Sequence, residues 1–275
     1  MPGDDNLIVE ARAALLDAVI ALDAHRDSII LIGAQAIYLR TGVASFALAE
    51  ATKDSDLAID PRSLGEDPLL EEAMARAGFI INPTSKQPGA WISPRGIPVD
   101  LMIPEVLAGG HARRSVQVPP HDKNSARRAA GLEASVVDHS SMTVDSLDGY
   151  GRSASINVAG PAALLIAKMH KLGERLHTPD RLNDKDAHDS YRLLVATTTS
   201  DMAATVRLLL DEEIAGESTR QALTYLRQLF ADGPEALGSM MAGRAEAGVG
   251  DPGNVSMSVA FLAQDLLAAI PDPRK

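Results

Sequence analysis

At Pro161 the periodicity of the chain changes, and no single repeating architecture accommodates both sides of that point. Before it, apolar residues come in short runs broken by Gly, Pro and Asp. After it, they recur every three to four positions over long stretches. Short bounded apolar runs read as strands, whereas the helical spacing reads as amphipathic helix. The expected fold class is therefore α+β, with a mixed-sheet α/β domain over 1–160 followed by a helical domain over 161–275.

Within the first part, Leu7, Ala11, Leu15, Ala18 and Leu22 predict a helix over 7–25. SIILIG (28–33) reads as a buried strand ending in Gly, and AQAIYLRTG (34–42) as a short helix stopped by Gly42. DLAID (56–60) is the next strand, DPLLEEAMARAG (67–78) a helix, and 79–81, 90–93 and 96–104 further strands. The Gly-, Pro- and Ser-rich middle predicts loops with short strands at 115–118, 133–137 and 141–144, then a strand at 154–160. In the second part, helices are predicted over 161–176, with Pro at the first turn, and over 184–197, with an Asp as cap. Three more follow near 200–213, 217–231 and 255–269.

The 275 residues are 45% hydrophobic but only 3% aromatic, so the core has to be aliphatic. No apolar run reaches the roughly 18 residues of a membrane span. The N-terminal MPGDDNLIVEAR lacks the basic start and apolar stretch of a signal peptide. The absence of cysteine excludes disulfides and thiolate metal sites. These features predict a cytoplasmic protein with no membrane partner. A formal net charge of −11 argues against a surface that wraps nucleic acid throughout. It leaves room for local basic segments at 111–128 (Arg113, Arg114, Lys123, Arg127, Arg128) and 168–181 (Lys168, Lys171, Arg175, Arg181), each equally readable as a solvated face.

The chemistry concentrates in TKDSDLAID (52–60). Asp54 and Asp56 are two apart at the start of a strand, so the period-two alternation puts both carboxylates on one face. Two such groups repel unless a cation sits between them. Mg²⁺, or Mn²⁺, suits them, because hard divalent ions take oxygen ligands from one or two carboxylates and substrate phosphates. A DxD alone also suits a turn, or the Mn²⁺ site of a glycosyltransferase, but neither explains two further features. The Gly turn in LIGAQ (31–35) opens a helix, whose free N–H groups suit a phosphate. Asp100 interrupts an otherwise apolar strand, IPVDLMI, where a charge requires a partner. Asp54, Asp56 and Asp100 together fit a two-metal site that activates a hydroxyl and stabilises a leaving pyrophosphate.

The order of strand, Gly turn and helix, then T-x-D-x-D-L, then a strand with V-D-L resembles the nucleotidyltransferase superfamily with the DNA-polymerase-β-like fold. More narrowly it is similar to the AbiEii-type toxin nucleotidyltransferases of toxin–antitoxin systems. PAALLIAKMHKLGER followed by KDAHDSYRLL is similar to that family's helix with Lys and Arg, then Lys-Asp-x-x-Asp. The resemblance implies an NTP substrate, ATP among the candidates, and Mg²⁺ held by Asp54, Asp56 and Asp100. It further implies nucleotide contacts from Gly33, Ala34, Gln35, Thr52, Lys53 and Lys168, and places Lys168 and Asp186 among the catalytic residues. The helical domain would close the active-site cleft, the acceptor would be a hydroxyl such as the 3′ end of tRNA, and a cognate antitoxin would be a protein partner. Two alternatives stay open: a small-molecule adenylyltransferase with an antibiotic-like acceptor, and a non-catalytic nucleotide- or protein-binding member of the fold. Ala34 stands where the family commonly has Gly or Ser, which removes a hydroxyl donor.

On their own helices, Lys168 falls beside the apolar stripe, and Asp186, Asp189 and Leu193 share a face. The structural alternatives are a Lys whose stem covers the core edge and acids paired with Lys185, Arg192 or Arg175. His111, His121 and His139 lack zinc-ligand spacing, His170 and His177 are expected at the surface, and Met240–Met241 in the core. No Gly-x-Ser-x-Gly elbow accompanies Ser140–Ser141, and neither a Walker P-loop nor Gly-x-Gly-x-x-Gly follows a strand.

Overall fold

The computed structural model describes residues 4–42, 54–85, 87–109 and 115–270. It is α+β, with a mixed sheet in the N-terminal part and helices in the C-terminal part. The described residues fall into two compact units, drawn from Met1–Ala36 with Ala51–Ala159 and from Ile37–Glu50 with Gly160–Lys275.

The first unit is built on an eight-stranded sheet. Its strands are β1 (Ile29–Ile32), β2 (Ser55–Ile59), β3 (Ile80–Ile81), β4 (Ala90–Ile92), β5 (Pro98–Pro104), β6 (Arg127–Ala129), β7 (His139–Asp145) and β8 (Ser153–Ala159). The order is β3-β4-β5-β2-β1-β8-β7, with β6 also on β5. β1 runs antiparallel to β2 and parallel to β8, and β2 runs parallel to β5. One edge of β5 is shared: β4 pairs with Pro98–Asp100 and β6 with Met102–Pro104. All four residues of β1 are buried, as a central strand covered on both faces requires. Helix α1 (Asp4–Ala21) packs on β2, β5 and β8 through Ala11, Leu15, Ala18 and their neighbours.

Helix α3 (Leu70–Arg76) is shorter than the 67–78 expected. Its start is set from outside: His121 Nδ1 accepts the Leu70 N–H at 3.2 Å, while His121 Nε2 donates to the Gly65 carbonyl at 2.9 Å. Burial is the first cause holding the His121 pKa below its usual value. Two predicted strands are absent. Residues 115–118 contribute only a single bridge, Ser115 to Arg127. Glu133–Val136 is a turn of 3-10 helix with all four side chains buried, so its apolar content reflects burial without alternation. β6 was unforeseen, because RRA carries no β-type signature.

The second unit contains α4 (Pro161–Gly173), α5 (Asp184–Ala196), α6 (Thr199–Asp211), α7 (Gly216–Leu226), α8 (Leu237–Ala245) and α9 (Pro252–Ala269). α2 (Gly33–Thr41) runs from the end of β1. Pro161 opens α4 as its first residue. The cap of α5 is Asn183, which accepts the Lys185 N–H at 2.8 Å, whereas Asp184 pairs with Arg244. α8 escaped the sequence reading because Gly238 and Gly243 are poor helix formers. They are required by packing: a Cβ at Gly238 would press on the Phe230 ring and the Leu229 carbonyl, and one at Gly243 on Pro252 and Ser256. Met241 is buried and Met240 is not. His170, expected at the surface, is buried: its Nε2 lies 2.8 Å from the Ser218 carbonyl and its ring meets Tyr225 edge-on. Among the described residues no single helix is long and apolar enough to cross a membrane.

Asp251 caps α9 by accepting the N–H groups of Gly253 and Asn254 at 2.9 and 3.2 Å. Asp251→Ala is expected to lower stability by about 1 kcal/mol, and Asp251→Asn by much less, in thermal or urea denaturation.

Candidate active site

The site begins at the junction of β1 and α2. Gly33 has φ +69°, a conformation that side-chain-bearing residues rarely adopt. A Cβ built there would overlap the Asp56 carboxylate, lying 3.0 Å from its Cγ and 3.1 Å from its Cβ. The Gly turn is thus doubly determined, by backbone conformation and by the carboxylate pressed against it.

Strand register brings the second carboxylate alongside. Asp56 pairs with Ile32 of β1 on one side and Asp100 of β5 on the other, and Asp100 pairs in turn with Ala90. Directly paired residues point to the same face, so Ile32, Asp56, Asp100 and Ala90 form one row. The next row on that face is Ile30, Ala58, Met102 and Arg127. From its end Arg127 reaches back, and its Nη2 donates to Asp100 Oδ2 at 2.7 Å. Both side chains of this pair are 23% exposed. The partner that Asp100 requires is therefore a guanidinium, from a segment the sequence offered only as part of a basic run. Gly89 (φ +71°) lets that segment approach: a Cβ there would crowd the Leu101 carbonyl and the Arg127 backbone N–H.

Asp54 is exposed and stands one residue before β2. Thr52 and Lys53 lie outside the described residues, as do His111, Arg113 and Arg114. Among the described residues no three His, Asp or Glu side chains converge into a metal-holding group. The in-register pair Asp56 and Asp100 supplies two hard oxygen donors, the number Mg²⁺ commonly takes from a protein when phosphates and water complete its shell. The residues present therefore fit a divalent cation.

The two other residues of the Gly turn lie in the interior: Ala34 and Gln35 are both buried. Gln35 accepts from Arg12 Nε at 2.7 Å and donates to Ser55 Oγ at 3.1 Å; Ser55 Oγ donates to the Ala11 carbonyl at 3.0 Å. Arg12 also donates to the Asp145 carbonyl at 3.0 Å. Burial pulls the Arg12 pKa down, against the attraction of Asp145. This network holds Ser55, the residue between Asp54 and Asp56, on the α1 side of the sheet. Nothing in the sequence marks Arg12 or Ser55, because an Arg in an amphipathic helix and a Ser in a strand carry no distinctive spacing.

The second unit contains a separate cluster. Lys168 is buried, and its Nζ donates to Asp186 and Asp189, each at 2.7 Å. Lys171 and Arg175 also reach Asp186, at 2.9 and 3.4 Å. Asp186, Asp189 and Leu193 are all buried, on the face their spacing indicates. Burial alone would lower the Lys168 pKa, but Asp189 and Asp186 outweigh it and raise it above the ordinary ammonium range. Burial alone would raise that of Asp186, but Lys168 and Lys171 hold it well below the carboxylate range. The ammonium expected to meet phosphate is thus engaged by two carboxylates, and the basic run at 168–181 is in large part neutralised from within.

A family model described as Nucleotidyltransferase matches residues 10–215 of the chain. No curated protein matches it.

Lys168→Met leaves two buried acids without their main counter-ion and is expected to cost about 3–5 kcal/mol at pH 7. Asp186, with its lowered pKa, contributes stability above its unfolded value of about 4 and loses it as pH falls. Lys168, with its raised pKa, contributes below about 10 and loses it as pH rises. In the variant Asp186 loses the cation that holds its pKa down and protonates more readily, so urea denaturation at pH 7 and pH 4 should show the penalty shrinking at the lower pH.

Proposed function

Because the chain belongs to the nucleotidyltransferase family, we propose that it is a metal-dependent transferase that moves a nucleotidyl group from an NTP to a hydroxyl acceptor, with Asp54, Asp56 and Asp100 as its metal-binding carboxylates. The observation that carries this reading is the in-register placement of Asp56 beside Asp100, with Gly33 against the Asp56 carboxylate. When bound, Mg²⁺ would supply charge neutralisation at the attacked phosphate and at the departing pyrophosphate. Asp54, Asp56 and Asp100 would hold the cation, and Gly33 leaves the space in which the Asp56 carboxylate stays aimed. The N–H groups of the first turn of α2 donate to phosphate oxygens, a role that Ala34 fills with its backbone. Asp100 accepts the hydrogen bond of the incoming hydroxyl and takes its proton as the new bond forms. The hydroxyl oxygen forms a new bond to the α-phosphorus, the bond to the β-phosphate bridge breaks, and the electron pair leaves with pyrophosphate. Lys168 and Asp186 act in this reading as a positioning pair that orders α4 against α5.

The 3′ end of tRNA is the proposed acceptor, which would make the protein a toxin with a cognate antitoxin. One observation favours a second acceptor class, a small cationic molecule: the net charge is −11, and Lys168, Lys171 and Arg175 are turned onto Asp186 and Asp189.

Incubation with each α-³²P-labelled NTP, Mg²⁺ and total tRNA, followed by gel separation, tests the reading. Wild type should move label onto RNA. Asp56→Asn should lower transfer by at least about 100-fold, since even outer partners of metal ligands are worth 10- to 100-fold. Label on an added aminoglycoside-like acceptor, with none on RNA, selects the second class. Equal transfer by wild type and Asp56→Asn would refute the site.

A further inference from the structure

Arg127 occupies an unusual position for a structural ion-pair partner. It stands on the same sheet face as Asp56 and Asp100, one row along, and meets Asp100 through a single nitrogen, Nη2, at 2.7 Å. Its Nε is buried and has no hydrogen-bond partner among the described residues. A guanidinium offers two parallel donors that match one carboxylate or one phosphate bidentately, so a one-nitrogen contact with a buried, unused Nε is less than the group can make. Two carboxylates side by side suit a divalent cation, and an unused buried donor needs an acceptor, which a phosphate oxygen can supply.

We propose that Arg127 is an exchangeable counter-ion: it neutralises Asp100 when no metal is bound, and is released by the metal to become a bidentate ligand of the nucleotide's phosphates. This rests on the metal-site reading given above. The exchange requires no change in the sheet, because Arg127 already lies at the end of the adjacent row and needs only a side-chain rotation. The backbone at this point is fixed, since β6 pairs with β5 at Met102 and Gly89 packs against the Arg127 N–H. The exchange also makes metal and nucleotide binding cooperative. Metal binding has to displace the guanidinium, and phosphate binding stabilises it in its displaced position.

The test measures binding rather than turnover. Free Mn²⁺ is followed by its electron paramagnetic resonance signal during titration of wild type, Arg127→Gln, Arg127→Lys and Asp56→Asn, with and without ATP. Without ATP, Arg127→Gln should bind Mn²⁺ about threefold to tenfold more tightly than wild type, the scale of one half-buried ion pair that no longer competes. With saturating Mn²⁺, the same variant should bind ATP more weakly, and Arg127→Lys should bind ATP less well than wild type while keeping near-wild-type Mn²⁺ affinity. Far-ultraviolet circular dichroism of each variant confirms folding, and Arg127→Lys keeps the test open if Arg127→Gln does not fold. Unchanged or weaker Mn²⁺ binding by Arg127→Gln would overturn the exchange and leave the metal site standing. Mn²⁺ binding unaffected by Asp56→Asn would overturn the metal site, and the exchange with it.

Discussion

Gly33 and Asp56 occupy space that only one of them can fill with a side chain. The turn from β1 into α2 has φ +69° at Gly33, and the Asp56 carboxylate lies where a Cβ would be. Because Ile32, the last residue of β1, pairs with Asp56, the turn and the carboxylate are fixed by the same strand register. A slip of one residue between β1 and β2 would turn Asp56 into the α1 side of the sheet, and bring Ser55 or Leu57 under the Gly turn. The network from Arg12 through Gln35 to Ser55 guards against that slip, because it ties the intervening residue to the opposite face. Hydrophobic burial along β1, β2 and β5 makes the sheet; the close approach at Gly33 decides which side of it carries the charge.

Charge is handled in opposite ways in the two units. Around Asp100 it is partly exposed, with Arg127 contributing one hydrogen bond. Around Lys168 it is buried and tightly compensated, with Asp186 and Asp189 each at 2.7 Å. A compensated buried cluster orients helices, whereas a partly exposed pair of acids beside a Gly turn is open, in the proposed reading, to a cation and a phosphate.

The sequence showed the change of architecture at Pro161, the strand–Gly–helix order at 28–42 and the aberrant charge of Asp100, because each is written in local spacing. Its chemistry grouped Asp56 with Asp100 at one site, but it did not give their direct pairing in register. That depends on the order β5-β2-β1, a pairing of residues more than forty apart that no local pattern encodes. Nor did it show that Gln35 turns inward and that Arg127 meets Asp100, since a polar side chain in a helix or a basic run reads the same whether it serves a ligand, a solvent face or a buried network. The missed α8 and the false strand at 133–137 share a cause: packing at Gly238 and Gly243 overrode weak helix propensity, and burial at Glu133–Val136 imitated a strand.

The dependence of nucleotide binding on the space at Gly33 is the most direct measurement. Calorimetric titration of Mg²⁺ and a non-hydrolysable ATP analogue into wild type and Gly33→Ala, with circular dichroism to confirm folding, separates the possibilities. The added methyl must displace the Asp56 carboxylate, so binding by Gly33→Ala is predicted to fall at least about tenfold, the lower bound for disturbing the partners of a metal ligand. Equal affinity in the two folded proteins would contradict a nucleotide site built on Gly33 and Asp56.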